Sequence, residues 1–168
     1  MAVENLQTDF AKANQVIYPY TANSVHVVKG VLEMTAAASA TSTYDFGLIP
    51  ADAILLWSAS GFSSDDLASS GSPTIDIGLF EDNDNLTSLG YSDDDNAIKD
   101  GIDVATAANS NIRLLGDIAN IDKPVWQLIS GVSTSNRVRG SLRVKATLKD
   151  DDCNTGGTIA LELAYFVK

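Results

Sequence analysis

From residue 24 onward, apolar and polar positions alternate with a period of two, the pattern of strands buried on one face. "SVHVVKGVLEMT" (24–35) predicts a long strand, and an unbroken register puts His26 on the face of Val28, Leu32 and Met34. "TSTYDFGLI" predicts a second, with Tyr44, Phe46 and Leu48 on one face. "IPAD" reads as a turn, and "AILLWSAS" is a continuous apolar run suited to a strand covered on both faces. The Ser-, Asp- and Gly-rich "GFSSDDLASSGSP" predicts a loop. In "PTIDIGLFEDNDNLTSLG", Ile75, Ile77 and Leu79 alternate with Thr74, Asp76 and Gly78 before the chain runs into acid and amide residues from Glu81 to Asn85.

Residues 92–109 fit no single period and accommodate one helical turn near Asn96 to Asp100, while "NIRLL" and "PVWQLIS" read as short strands. The last third is clearest. Val138, Leu142, Val144, Ala146 and Leu148 share one face, and Arg137, Arg139, Arg143, Lys145 and Lys149 the other. In "TIALELAYFVK", Ile159, Leu161, Leu163, Tyr165 and Val167 are in register. The two segments predict a hairpin joined by an acidic loop. About eight antiparallel strands with hardly any helix imply an all-β fold, a β-sandwich or jelly roll.

Residues 1–23 stand apart as an N-terminal arm ahead of a domain spanning 24–168. Val3, Leu6, Phe10 and Ile17 are spaced for a short amphipathic helix that Pro19 ends. With Tyr18 and Tyr20 they form a candidate interface, packing on the arm's own domain or on a neighbour.

Length sharpens this picture only slightly: 168 residues make one domain with a real core. Charge changes it more. A formal charge of −11 repels phosphates and disfavours nucleic acid as a partner. Residues 65–103 hold 11 of the 22 acids and one base, Lys99, whereas five bases lie between Arg137 and Lys149. That polarity suits either a partner-orienting field or, more simply, a solvated edge strand. No run approaches a membrane span and no signal peptide is visible, so the sequence reads as a soluble protein made in the cytosol. The single Cys153 excludes an internal disulfide.

The residues offer little chemistry. The acidic stretch fails the EF-hand template, since position five counted from Asp82 is Leu86 and position twelve is Asp93. Asp and Asn there read as strand terminators that solvate a turn, with a loop-bound calcium as the lesser reading. One histidine and one cysteine exclude zinc-finger ligand sets, and His26 reads as a half-buried structural residue. The many acids allow carboxylate pairs, but few lie in the apolar surroundings a catalytic acid needs. "NTGGT" lacks the spacing and the lysine of a phosphate loop. No catalytic, cofactor-binding or metal-binding residue is assigned, and a non-enzymatic role follows.

"STYDFGLIPADAILLW", "TIDIGLFEDNDNL" and the closing "GTIALELAYFVK" together resemble a pattern of small virion structural proteins of tailed bacteriophages. There, a Gly-Ile-Pro-Ala-like turn precedes a buried strand, a T-x-D-x-G strand opens into an Asp-rich loop, and a Gly-led strand with a late Tyr closes the chain. The resemblance implies a capsid decoration (cement) protein on the outside of the virion. Its partners would be the major capsid protein and its own copies, often as a homotrimer, with no cofactor. A head-fibre base or tail protein is the alternative within the virion. A carbohydrate-binding sandwich, stacking sugars on Trp57, Trp126 and the tyrosines, is the alternative outside it.

Overall fold

The computed structural model describes residues 3–12, 24–35, 38–68, 70–105, 109–114, 118–153 and 155–167. Ten strands run through them: β1 (Asn5–Gln7), β2 (His26–Met34), β3 (Thr43–Pro50), β4 (Ala53–Leu55), β5 (Gly61–Ser64), β6 (Thr74–Phe80), β7 (Asp94–Asp103), β8 (Asn109–Arg113), β9 (Ser141–Lys149) and β10 (Gly157–Val167). One four-residue helix, α1 (Asp9–Lys12), and short 3-10 turns accompany them. No described helix is long and apolar enough to cross a membrane.

The strands form two sheets, ordered β1-β3-β9-β6-β7 and β2-β10-β5-β8, with β4 pairing β10 off the second path. Setting aside β1 and β4, the chain runs out through β2, β3, β5 and β6 and returns through β7, β8, β9 and β10. The antiparallel pairs are then β6 with β7, β5 with β8, β3 with β9 and β2 with β10. That is one long hairpin rolled into two sheets, a jelly roll of eight strands. Its turning point is the acidic stretch between β6 and β7.

The alternating positions meet between the sheets. Tyr44, Phe46, Ile75, Ile77, Leu79, Val144, Ala146 and Leu148 come from the first sheet, and Val28, Met34, Phe62, Ile159, Leu161, Leu163 and Tyr165 from the second. All are buried. Burying a side chain of this kind contributes about 1.5–3 kcal/mol before entropy.

Several expectations fail for identifiable reasons. The last two strands are not a hairpin: β9 lies in the first sheet and β10 in the second. A half-buried pattern fixes which face is apolar and leaves the neighbour open. Nor is β9 an edge strand, since it sits in mid-sheet between β3 and β6. Residues 96–100 belong to β7, because register shifts in its pairing with β6 leave Asp94, Ile98 and Ile102 as the buried positions. That four-residue spacing looks the same as a helical one in sequence. Residues 61–64, read as loop, form β5, whose Phe62 alone reaches the core cluster. "AILLWSAS" keeps only a three-residue strand before a 3-10 turn at Trp57–Ala59. "PVWQLIS" also turns, with Val125 and Trp126 buried consecutively.

At the N-terminus, residues 5–7 are a strand rather than part of a helix, running parallel to β3 with Leu6 opposite Tyr44. Thr8 then enters the sandwich. Its hydroxyl donates to the Phe46 carbonyl (3.0 Å) and accepts from the Ala11 N–H (3.1 Å), capping α1. Its methyl group lies over Gly30 of the opposite sheet, where an added Cβ would stand 2.3 Å away.

Candidate interaction face

The two outer faces of the sandwich differ in chemistry. On the first sheet, two of the three bases of β9 are held by acids from neighbouring elements and the third by an aromatic ring. Arg143 lies between Asp45 (3.0 Å) and Asp82 (3.4 Å), Lys149 pairs with Asp95, and Lys145 stands 4.7 Å above the Phe80 ring. The Lys149 ammonium is held above its usual range chiefly by the hydrogen bond to Asp95. Asp76, buried on β6, has its pKa raised by desolvation, opposed by the Gly101 N–H that its Oδ1 accepts at 2.8 Å. The bases of β9 are thus engaged in mid-sheet rather than on a solvated edge, while Arg139, ahead of the strand, is exposed with no side-chain partner among the described residues.

The acidic stretch is likewise built inward. Asp82 is buried and accepts from the Ser141 hydroxyl at 2.6 Å. Asn85 donates to the carbonyls of Arg139 (3.0 Å) and Ser141 (2.6 Å). Glu81 accepts the Thr87 N–H (2.6 Å) and hydroxyl (2.8 Å), and these bonds lower its pKa. The expected wet turn is therefore correct only at its tip, where Asn83 and Asp84 are exposed in the left-handed region (φ 55 and 57). Asn and Asp tolerate that conformation better than other side chains. Among the described residues, no group of three His, Cys, Asp or Glu is placed to hold a metal ion.

The second sheet's outer face is different. Ala160 and Glu162 on β10, Gly61 on β5, Lys29 and Val31 on β2 and Arg113 on β8 line an open groove of about 700 Å³. Pairing sets its layout. Lys29 stands opposite Glu162 and Val31 opposite Ala160, while Gly61 is opposite both Glu162 and Arg113. Small residues make the floor because Gly and Ala leave the sheet backbone bare. Val31 is 65% exposed and Val25 on the adjoining chain 60%. The side chains of Lys29, Arg113 and Glu162 have no hydrogen-bond or ion-pair partner among the described residues. Nothing in the sequence announced this groove, which is assembled from residues as distant in the chain as Lys29 and Glu162.

Of the six candidate interface residues, Val3 is 53% exposed and Leu6 packs partly against the core. The side chain of Phe10, and Ile17, Tyr18 and Tyr20 altogether, lie outside the described residues. His26 is half-buried as expected, its ring centroid 5.7 Å from that of Tyr165, and its buried Nε2 lacks a partner. Trp57 and Trp126 are both buried, as are Tyr44 and Tyr165. Burial pushes the Tyr165 phenol up to about 12 and the Cys153 thiol up to about 11. These groups are packed rather than poised for chemistry.

No protein-family model matches the chain, and no curated protein matches it by sequence. Solved structures do. The chain is similar to one in the capsid of Ralstonia phage GP4, with a TM-score of 0.67 and 19% identity over 98% of each chain. It is also similar to one in the cyanophage Pam1 capsid asymmetric unit, with a TM-score of 0.53 and 16% identity over 90% of this chain and 89% of that one. At such identities the likeness is one of fold, and it falls on phage capsid chains, the class that the sequence resemblance implied.

Proposed function

We propose that this chain is a non-enzymatic structural protein of a tailed-phage virion, a decoration (cement) protein that binds the outside of the shell. The end-to-end match of its fold to a capsid chain, 98% of each, carries this reading. The difference between the outer faces supports it: on the first sheet Arg143 and Lys149 are held by acids, while the second offers exposed valines and charges without a partner among the described residues.

The mechanism is linkage. A protein that binds only the expanded shell stabilises that shell by its binding free energy, and many copies multiply a modest contact. The major capsid protein and further copies of this chain, as a trimer, are the partners. Val3, exposed ahead of β1, adds apolar surface to the contact, while residues 5–12 pack on the chain's own sandwich. A sugar-binding role loses its two tryptophan platforms, because Trp57 and Trp126 are both buried.

The test is to add the purified protein to particles lacking it, then measure occupancy by imaging and genome retention on heating. Site-specific decoration with a raised heat threshold is expected. Binding confined to the tail or a fibre would move the protein elsewhere in the virion, and binding to no particle would refute the proposal.

A further inference from the structure

We propose that the groove on the second sheet receives the acidic tip at Asn83 and Asp84 of a second copy of this chain. The inference deepens, and rests on, the reading of a self-assembling virion protein. The two surfaces are complementary in charge. The groove sets unpaired Lys29 and Arg113 around one acid, Glu162, in a chain whose formal charge is −11. Among the described residues these two cations lie without a partner in one groove, so its charged lining carries an excess of positive charge.

The tip is complementary in form as well. Its two residues are exposed, and the strand ends behind them are pinned by Asp82 on Ser141 and by Asn85 on the carbonyls of Arg139 and Ser141. The Asp82 N–H also donates to Asn85 Oδ1 at 3.1 Å, closing the turn. A rigid prong loses little conformational entropy on docking. A floor of Gly61 and Ala160 leaves room for its backbone, and Val31 offers apolar surface at the side. Within one molecule the tip is held by the start of β9 in the first sheet, and the groove is made by the second. The contact must therefore join different copies, head to tail, and such a contact generates a ring when its rotation closes.

The experiment uses the full chain. Sedimentation of the wild type at low and high salt is compared with a Lys29→Glu/Arg113→Glu variant, with Asp84→Lys, and with Asp84→Asn, which suits the left-handed turn. Thermal melts establish that each variant folds. The expected result is self-association that weakens with salt and falls about tenfold or more on either charge reversal, as juxtaposed like charges repel. Mixing the groove-reversed and tip-reversed chains should restore contacts between unlike chains, in alternating assemblies of even number, since each tip then faces a groove of opposite charge. A wild type that stays monomeric at high concentration, or association unmoved by both reversals, overturns the inference. Particle decoration is scored separately. A monomer that decorates particles refutes the groove contact alone, and an oligomer that decorates none refutes the virion reading alone.

Discussion

The guanidinium of Arg143 on β9 lies 3.0 Å from the carboxylate of Asp45 on β3. A second carboxylate, Asp82, approaches it at 3.4 Å from the loop after β6, so one cation serves two acids that are each less than a tenth exposed. Removing the cation strands both. Arg143→Ala should cost about 3–5 kcal/mol, the range for breaking a buried pair from one side. Chemical denaturation checks this, and a loss under about 1 kcal/mol would mean that water replaces the arginine.

The two aspartates of "EDND" should separate under mutation. Asp82→Asn weakens the bond to Ser141 and the pull on Arg143, and should cost about 1–3 kcal/mol. Asp84→Asn should change stability by less than about 0.5 kcal/mol, as exposed substitutions do. Equal melting temperatures for the two variants would contradict the inward role of Asp82.

Asp76 makes an inverted pH prediction. Its folded pKa is raised above the ordinary 3.8, first by burial. The folded state then holds the proton more tightly than the unfolded state does. The stability this group contributes is present below 3.8 and is lost as pH rises through the raised folded value. Asp76→Asn keeps an acceptor for the Gly101 N–H without the buried charge. It should raise the melting temperature at neutral pH, with the gain shrinking in acid. A gain independent of pH would assign the effect elsewhere.

Thr8 and Gly30 should couple. Gly30→Ala would place a methyl 2.3 Å from Thr8 Cγ2 and 3.2 Å from the Phe46 ring, an overpacking worth about 1–3 kcal/mol. Thr8→Ala alone should cost about 1 kcal/mol through the lost cap. The double variant should be more stable than the sum of the two predicts, and strict additivity would show that the two sites do not touch.

Cys153 is fully buried, its amide donating to Ala38 at 3.0 Å, and burial with nearby Glu4 and Asp152 raises its thiol to about 11. At mildly alkaline pH it should react with thiol reagents only as fast as the fold opens. Rapid labelling of the native protein would show a more accessible sulfur.

These residues also mark how far a sequence can be read. The faces of β9 and β10 were legible because Val144 and Ala146, like Leu161 and Leu163, keep strict alternation, and all four are buried. Which strands they pair with was not, because a period of two carries no information about the neighbour. β7 was hidden by register shifts that space Asp94, Ile98 and Ile102 four apart. Asp82 and Asp84 are chemically identical in the sequence, and only the fold buries one and exposes the other. The groove was illegible for a stronger reason: Lys29, Glu162 and Arg113 become neighbours only after the long hairpin has rolled up.

That rolled hairpin has a consequence for biosynthesis. β10 pairs with β2, β4 and β5, so three strands made earlier wait for the segment ending at Val167. In the other sheet β9 joins β3 to β6, both made long before it. A ribosome-bound chain lacking these two strands has its apolar faces ready and nothing to lay them against. Closure is then a late, non-local event of the kind that makes folding slow. It comes only after the whole of β10 has been synthesised. Until β10 is in place the second sheet cannot close, because β10 is the strand that joins β2 to β5.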